Sequence, residues 1–143
     1  MIWKMKPSLD ILNQSSKNTM VEYLDIVFSN IGDDFLEATM PVSHKTVQPF
    51  RILHGGASVA LAETLGSVAS NIIVSPENLQ IVGLEINANH LKSAKEGQTV
   101  TGKVSPIRIG RKIHVWQIEI RDEQEKLCCI SRLTVAVLEA LKA

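Results

Sequence analysis

Two short stretches hold the residue types that chemistry needs. Gln48-Pro49-Phe50-Arg51-Ile52-Leu53-His54-Gly55-Gly56 leads into a nearly apolar helical pattern, which contains a carboxylate at Glu63 and a hydroxyl at Ser67. The first backbone N–H groups of a helix lack intrahelical acceptors and attract negative charge. A carboxylate on the same helix can act as general base or nucleophile. Together they form the skeleton of an acyl-transfer or hydrolysis site. Glu63 and Ser67 lie one turn apart on one helix face.

The element that must position these groups is a helix expected over residues 54–73, stopping before Ser75-Pro76 because a residue preceding proline avoids the α region. At about 100° per residue, Ala57, Leu61, Leu65, Val68, Ala69 and Ile72 fall on one apolar arc. Gly56, Val59, Ala60, Glu63, Gly66, Ser67 and Ser70 lie opposite. A surface helix would carry long charged side chains there. Small ones imply burial on both sides, with another backbone, a second subunit or a ligand as cover.

Upstream, Ser8 is placed to cap a short helix ending near Gln14, and residues 19–23 suggest a further helical turn. Residues 25–30 and 35–40 alternate as two strands joined through Gly32-Asp33-Asp34, and residues 41–53 form a loop. Downstream, residues 81–89, 98–107, 113–121 and 127–138 are expected strands, separated at Gly97, Gly110 and Asp122-Glu123-Gln124. Six strands and one long helix imply an α+β domain over residues 1–143, with one antiparallel sheet wrapped around the helix.

Composition narrows the function. Fifteen basic and fifteen acidic residues balance, which leaves no electrostatic footprint for nucleic acid. No apolar run is long enough for a membrane span, and Met1-Ile2-Trp3-Lys4-Met5-Lys6 lacks the apolar core of a signal peptide. Adjacent Cys128 and Cys129 fit neither a disulfide framework nor, with the four histidines, a metal-ligand spacing. Reduced structural thiols place the chain in the cytoplasm.

The ordered series Met1-Ile2-Trp3-Lys4, Ile31-Gly32-Asp33-Asp34, Leu36 through Val42, Gln48-Pro49-Phe50, Leu53 through Glu63, Val82 through His90, Val115 through Ile120, Leu127-Cys128-Cys129 and Ser131-Arg132-Leu133-Thr134 resembles the hotdog-fold acyl-CoA thioesterases. Within them it resembles the bacterial branch of dihydroxynaphthoyl-CoA thioesterases of menaquinone synthesis and their aryl-acyl proofreading relatives (PaaI-like thioesterases). The resemblance implies hydrolysis of an aryl acyl-CoA thioester. Glu63 would be the base or nucleophile and the Gly55 amide the donor to the thioester oxygen, although Gly55 and Gly56 could merely permit a tight helix start. Gln48 and His54 would position the carbonyl and the water, with His54 alternatively capping the helix. Ser67 would orient the carboxylate or the acyl ring.

His90 would border the pantetheine entrance or the aryl group, with Gly83 on the same strand counted among the substrate-binding residues. Lys92, Ser93, Arg108 and Arg111 would meet the phosphates of coenzyme A. The implied assembly is a homodimer with Glu63 and Ser67 of one subunit opposite Gln48 and Gly55 of the other, paired again into a dimer of dimers. No cofactor or metal is implied, because coenzyme A belongs to the substrate. An acyl or aryl carrier protein is the alternative thioester donor.

Other readings fit less well. A non-catalytic acyl-CoA sensor would generally be fused to a DNA-binding segment, and the stretch before the first strand is too short and too weakly basic for one. A hydratase on this fold would place aspartate and histidine in a pattern not found here. One departure stands out. Arg51 follows Phe50 where relatives usually carry glycine. If that position needs positive φ, arginine is costly there; if it borders the acyl pocket, the guanidinium could narrow it or recruit an acidic acyl group.

Overall fold

The computed structural model describes residues 1–4, 7–74 and 77–140. Helices α1 (Leu9–Ser15) and α2 (Met20–Tyr23) precede strands β1 (Val27–Ile31) and β2 (Leu36–Pro41). The long helix α3 (Gly55–Ile73) follows, then β3 (Leu79–His90), β4 (Thr99–Ile109), β5 (Ile113–Arg121) and β6 (Leu127–Glu139). The six strands form one antiparallel sheet in the order β1-β2-β4-β5-β6-β3, and α3 packs across β2 to β6. This is the α+β hotdog arrangement.

The local signals explain most boundaries. β5 alternates strictly between half-buried and buried residues, as a strand packed on one face must. Thr19 caps α2 by accepting the Val21 amide at 3.2 Å. Ser8 occupies the cap position of α1, but its side chain makes no capping hydrogen bond. α3 ends at Ile73; Ser75-Pro76, to which the sequence assigns the stop, lie outside the described residues.

The buried face of α3 differs from the expected arc. Ser58, Leu61, Ala62, Leu65, Gly66, Ala69 and Ser70 are buried, while Ala57, Val68 and Ile72 are only half-buried. Gly66 and Ser70, assigned by sequence to the open side, face the sheet. A Cβ on Gly66 would stand 2.4 Å from Leu133 Cδ2, so the absent side chain is what lets helix and β6 approach. Ser70 is needed there for a polar reason. Its Oγ accepts Trp116 Nε1–H at 2.7 Å and meets His114 Nδ1 at 3.0 Å, and all three residues are buried. Of the nineteen helix residues only Gly56 and Asn71 are exposed. Val59, Ala60, Glu63 and Ser67 stay half-buried.

The Ser70 network fixes the rotation and height of α3 against β5. Ser70→Ala leaves the Trp116 N–H and a ring nitrogen of His114 buried without their partner, which costs roughly 2–4 kcal/mol. The thermal midpoint is expected to fall by roughly 5–15 °C, measured by circular dichroism. His114 adds a pH dependence. Burial holds its imidazole below the usual 6.5, against the opposing pull of a hydrogen bond to the Gly110 backbone. The unfolded chain therefore binds the proton more readily, so stability is full above about pH 6.5 and declines as the pH falls toward the folded-state value. Denaturant midpoints between pH 8 and pH 5 are expected to show this decline, and His114→Gln is expected to flatten it.

Candidate active site

The loop before α3 is built to present two residues. The Gln48 carbonyl accepts the Arg51 amide at 2.9 Å, and the Gln48 amide donates to the Ile52 carbonyl at 2.9 Å. Pro49 and Phe50 are the turn centre, and Arg51 has a φ of 60°. This is a three-residue hairpin whose last loop residue takes the left-handed conformation, the position where glycine fits best. The Phe50 amide donates to Gln48 Oε1, so the side-chain NH2 of Gln48 is the end left to donate elsewhere. The Leu53 amide to the Ala94 carbonyl and the His54 amide to the Thr46 carbonyl, both 2.8 Å, anchor the stem.

His54 is the N-cap of α3: its Nδ1 accepts the Gly56 amide at 2.8 Å, and its carbonyl accepts the Ala57 and Ser58 amides. The ring proton is therefore on Nε2. Gly55 is the first helical residue, and its N–H finds no acceptor among the described residues. It opens instead on a cleft of about 310 Å³ lined by Gln48, Ile52, Leu53, Gly55, Ser58, His90, Leu91, Lys92, Ser93, Ala94 and Cys128. A Cβ on Gly55 would lie 3.0 Å from His90 Nε2, so the imidazole rests against the bare Cα beside the free amide. A weakly satisfied helix start, an amide donor and an imidazole thus converge on one concavity. His54 borders a neighbouring hollow with Met20, Leu24 and Lys45 rather than this cleft.

Glu63 is elsewhere. Eight residues along α3 from Gly55, it stands about 12 Å away at about 1.5 Å rise per residue. Ser67 Oγ donates to Glu63 Oε1 at 3.3 Å. The same oxygen lies 2.8 Å from where a Cβ on Gly83 would be, just before a bulge in the β3–β6 ladder. Gly83 therefore seats the carboxylate and does not share the cleft of Lys92 and Ser93. The chain brings Gln48, Gly55, His90, Lys92 and Ser93 together, and separately Glu63, Ser67 and Gly83. Arg108 and Arg111 join neither group. The ladder row Gly83–Val135–His114–Ile109 puts the β4–β5 turn at the Glu63 end of the sheet, whereas His90 pairs with Cys129 at the other end.

Residues 50–129 match the thioesterase superfamily, more than half of the chain. The 1,4-dihydroxy-2-naphthoyl-CoA hydrolase of Escherichia coli is 56% identical over 138 residues, covering 96% of this chain and all of that protein (100%). The proofreading thioesterase EntH of Cronobacter sakazakii is 51% identical, covering 96% of this chain and 99% of the other. The crystal structure of thioesterase HI1161 from Haemophilus influenzae superposes with a TM-score of 0.94 at 52% identity, covering 99% and 98% of the two chains. The chain belongs to the thioesterase superfamily. Its reaction class is thioester hydrolysis.

Several features of this thioesterase are invisible to motif reading. Ser58 and Cys128 line the cleft unannounced, though Ser58 follows Gly55 by three residues and so shares its helix face. Lys92 is not a free cation: its ammonium pairs with Asp122, whose buried carboxylate also accepts the Gln124 and Lys126 amides. Lys92 and the Lys126 amide hold that carboxyl below its usual range, and Asp122 raises the Lys92 ammonium in turn. Among the described residues no group of three His, Cys, Asp or Glu side chains could hold a metal ion.

Arg51 does occupy the costly conformation, and its guanidinium is spent on Glu96, with Nε to Oε2 at 2.9 Å and Nη2 to Oε1 at 2.5 Å. The Glu96 amide also donates to the Arg51 carbonyl at 3.1 Å. The side chain straps the Gln48 turn to the loop before β4 and does not line the cleft. Glu96→Gln strips the strap of its ion pair and one acceptor and keeps the strained arginine; Arg51→Gly removes both the guanidinium and the strain. Glu96→Gln is therefore expected to lower the thermal midpoint more than Arg51→Gly, read by parallel calorimetric scans.

Proposed function

We propose that this thioesterase hydrolyses an aromatic acyl-CoA thioester, 1,4-dihydroxy-2-naphthoyl-CoA first among them, to the free acid and coenzyme A in menaquinone biosynthesis. The observation that carries the reading is the unengaged Gly55 amide at the start of α3, facing the cleft with Gln48 and His90. The 56% identity to a hydrolase of that substrate over its full length supports the acyl group.

In this reading the thioester oxygen accepts the Gly55 N–H and the Gln48 NH2, which strengthen as negative charge develops there. Glu63 drives addition at the carbonyl carbon, as base for a water or as nucleophile. With Glu63 as base, the water's proton passes to the carboxylate, the tetrahedral centre expels coenzyme A as a thiolate, and that proton ends on the thiol. With Glu63 as nucleophile, loss of the thiolate leaves an acyl–Glu63 anhydride, which water hydrolyses to the free acid, freeing the carboxylate and supplying the thiol's proton. Since Glu63 stands about 12 Å from Gly55 in one protomer, the carboxylate at each cleft comes from a second copy. β3 is an edge strand of twelve residues with Val82 and Leu84 exposed, an unpaired ladder suited to meeting itself across a dimer axis. A dimer of dimers extends the same assembly. His90, Lys92 and Ser93 line the path of the pantetheine arm. Arg108 and Arg111 reach the nucleotide only from a neighbouring subunit.

A proofreading role on misacylated carrier protein is the second reading, favoured by the 51% identity to EntH. Two adjacent unpaired thiols, both buried, support a reducing, cytoplasmic setting for either role.

Thiol release from matched aryl-CoA, aliphatic-CoA and aryl carrier-protein thioesters tests these readings. Preference for aryl-CoA, with kcat lowered at least about 100-fold by Glu63→Gln, is expected. Mixing unfolded Glu63→Gln and Gln48→Ala chains and refolding them together should restore turnover that neither variant has alone, because a mixed dimer holds one intact pair. Failure to complement would place all the working groups within one protomer and refute the shared site.

A further inference from the structure

Six polar residues are buried among the described residues: Thr46, Ser58, Ser70, His114, Asp122 and Ser131. Five are bonded within the fold. Thr46 donates to the Pro41 carbonyl at 2.8 Å and Ser131 to the Asn87 carbonyl at 2.7 Å; Ser70, His114 and Asp122 belong to the networks described above. Ser58 is the exception. It is only 3% exposed, yet its hydroxyl bonds to no described residue.

A helical serine can return its hydroxyl to the carbonyl four residues back. Thr64 does this to Ala60 at 2.7 Å, and Ser16 to Leu12 at 3.0 Å. Ser58 does not, and the His54 carbonyl it would use already accepts the Ala57 and Ser58 amides. Among the described residues no side-chain oxygen or nitrogen sealed from solvent lacks a partner, so the Ser58 hydroxyl opens onto the cleft that its residue lines. Helical side chains lean toward the helix N-terminus. The hydroxyl therefore projects back over the turn that begins at Gly55, toward the free amide.

We propose that Ser58 is a catalytic residue that touches substrate: its hydroxyl donates to the same thioester oxygen as the Gly55 amide. The inference rests on the reading above that the carbonyl sits at the start of α3. The Gly55 dipole is fixed and lies along the helix axis, whereas the Ser58 hydroxyl can rotate. The pair would follow the oxygen as the carbonyl carbon becomes tetrahedral, one donor from the end of the helix and one from its side. Since no bond of the fold is lost, removal of the hydroxyl is cheap for stability and specific for the reaction.

The test compares wild type, Ser58→Ala and Ser58→Cys on the best aryl-CoA substrate. It adds equilibrium binding of two unreactive coenzyme A thioethers, an aryl ketone with a methylene between sulfur and carbonyl and an arylalkyl thioether with no carbonyl. Ser58→Ala is expected to lower kcat by about 10- to 100-fold, at the weaker end for an oxyanion donor, with KM nearly unchanged. It should weaken the ketone several-fold, spare the carbonyl-free thioether, and leave the thermal midpoint unchanged or higher. Ser58→Cys should fall between the two. A kcat within twofold of wild type, an equal loss for both thioethers, or a clear drop in thermal midpoint would overturn the assignment. Failure of the underlying reading is visible separately, as wild type that binds neither thioether or as Glu63→Gln that retains full turnover.

Discussion

A straight α-helix cannot bring its first turn to its third. With Gly55 at the start of α3 and Glu63 eight residues on, the anion-attracting end and the carboxylate are fixed about 12 Å apart. Each has its own local support. The Gly55 side has the Gln48 turn and His90; the Glu63 side has Ser67 and the bare Cα of Gly83. Neither half-site can drift toward the other without unwinding a helix that is packed against five strands. The spacing is therefore a constraint on the chemistry, and under the proposed mechanism a second copy has to supply the missing group.

What keeps the helix in place is a mixture of close packing and one buried polar anchor. Gly66 lets α3 settle on Leu133, and Leu61 and Leu65 fill the space over β4. Apolar packing alone tolerates small rotations, since one leucine can replace another against a flat sheet. The Ser70–Trp116–His114 contacts do not tolerate them, because a buried hydrogen bond is lost within a few tenths of an ångström. Rotation of α3 carries Glu63 and Ser58 to new directions. The network near the far end of the helix thus sets where both point.

The fold was largely legible because its signals are local. The turn residues Gly110 and Asp122-Glu123-Gln124 bracket β5 correctly, and the residues around the glycine pair mark the helix start. The sidedness of α3 was less legible. Hydrophobicity assigns Gly66 and Ser70 to the open face, but a glycine packs by what it lacks and a buried serine by the partner it finds, and neither partner is near in sequence. The site divided the same way. Gln48, Gly55, His90, Lys92 and Ser93 line one cleft, as nearby loops suggest they could. The placement of Gly83 beside Glu63, the distance of the β4–β5 arginines from Lys92, and the Asp122 partner of Lys92 all depend on strand order. The positive φ at Arg51 was readable as a requirement of the turn; the strap to Glu96 that accompanies it was not.

The cleft also declares itself through what the fold leaves unsatisfied. Elsewhere in the interior, polar groups are paired: Thr46, Ser131, Asp122 and the Ser70 network all have partners. At the start of α3 three are left over. Among the described residues the Gly55 N–H and the Ser58 hydroxyl have no acceptor, and the Gln48 NH2 is the free end of an amide whose oxygen is already held. All three can donate. A group that completes them must bring an acceptor oxygen, and the aliphatic walls of Ile52, Leu53, Leu91 and Ala94 ask that it be otherwise apolar. A thioester carbonyl meets the first demand, and the apolar acyl group of the proposed substrate meets the second. Satisfaction of these donors in the folded apo chain would stabilise the protein and remove the pull on charge that the reaction needs.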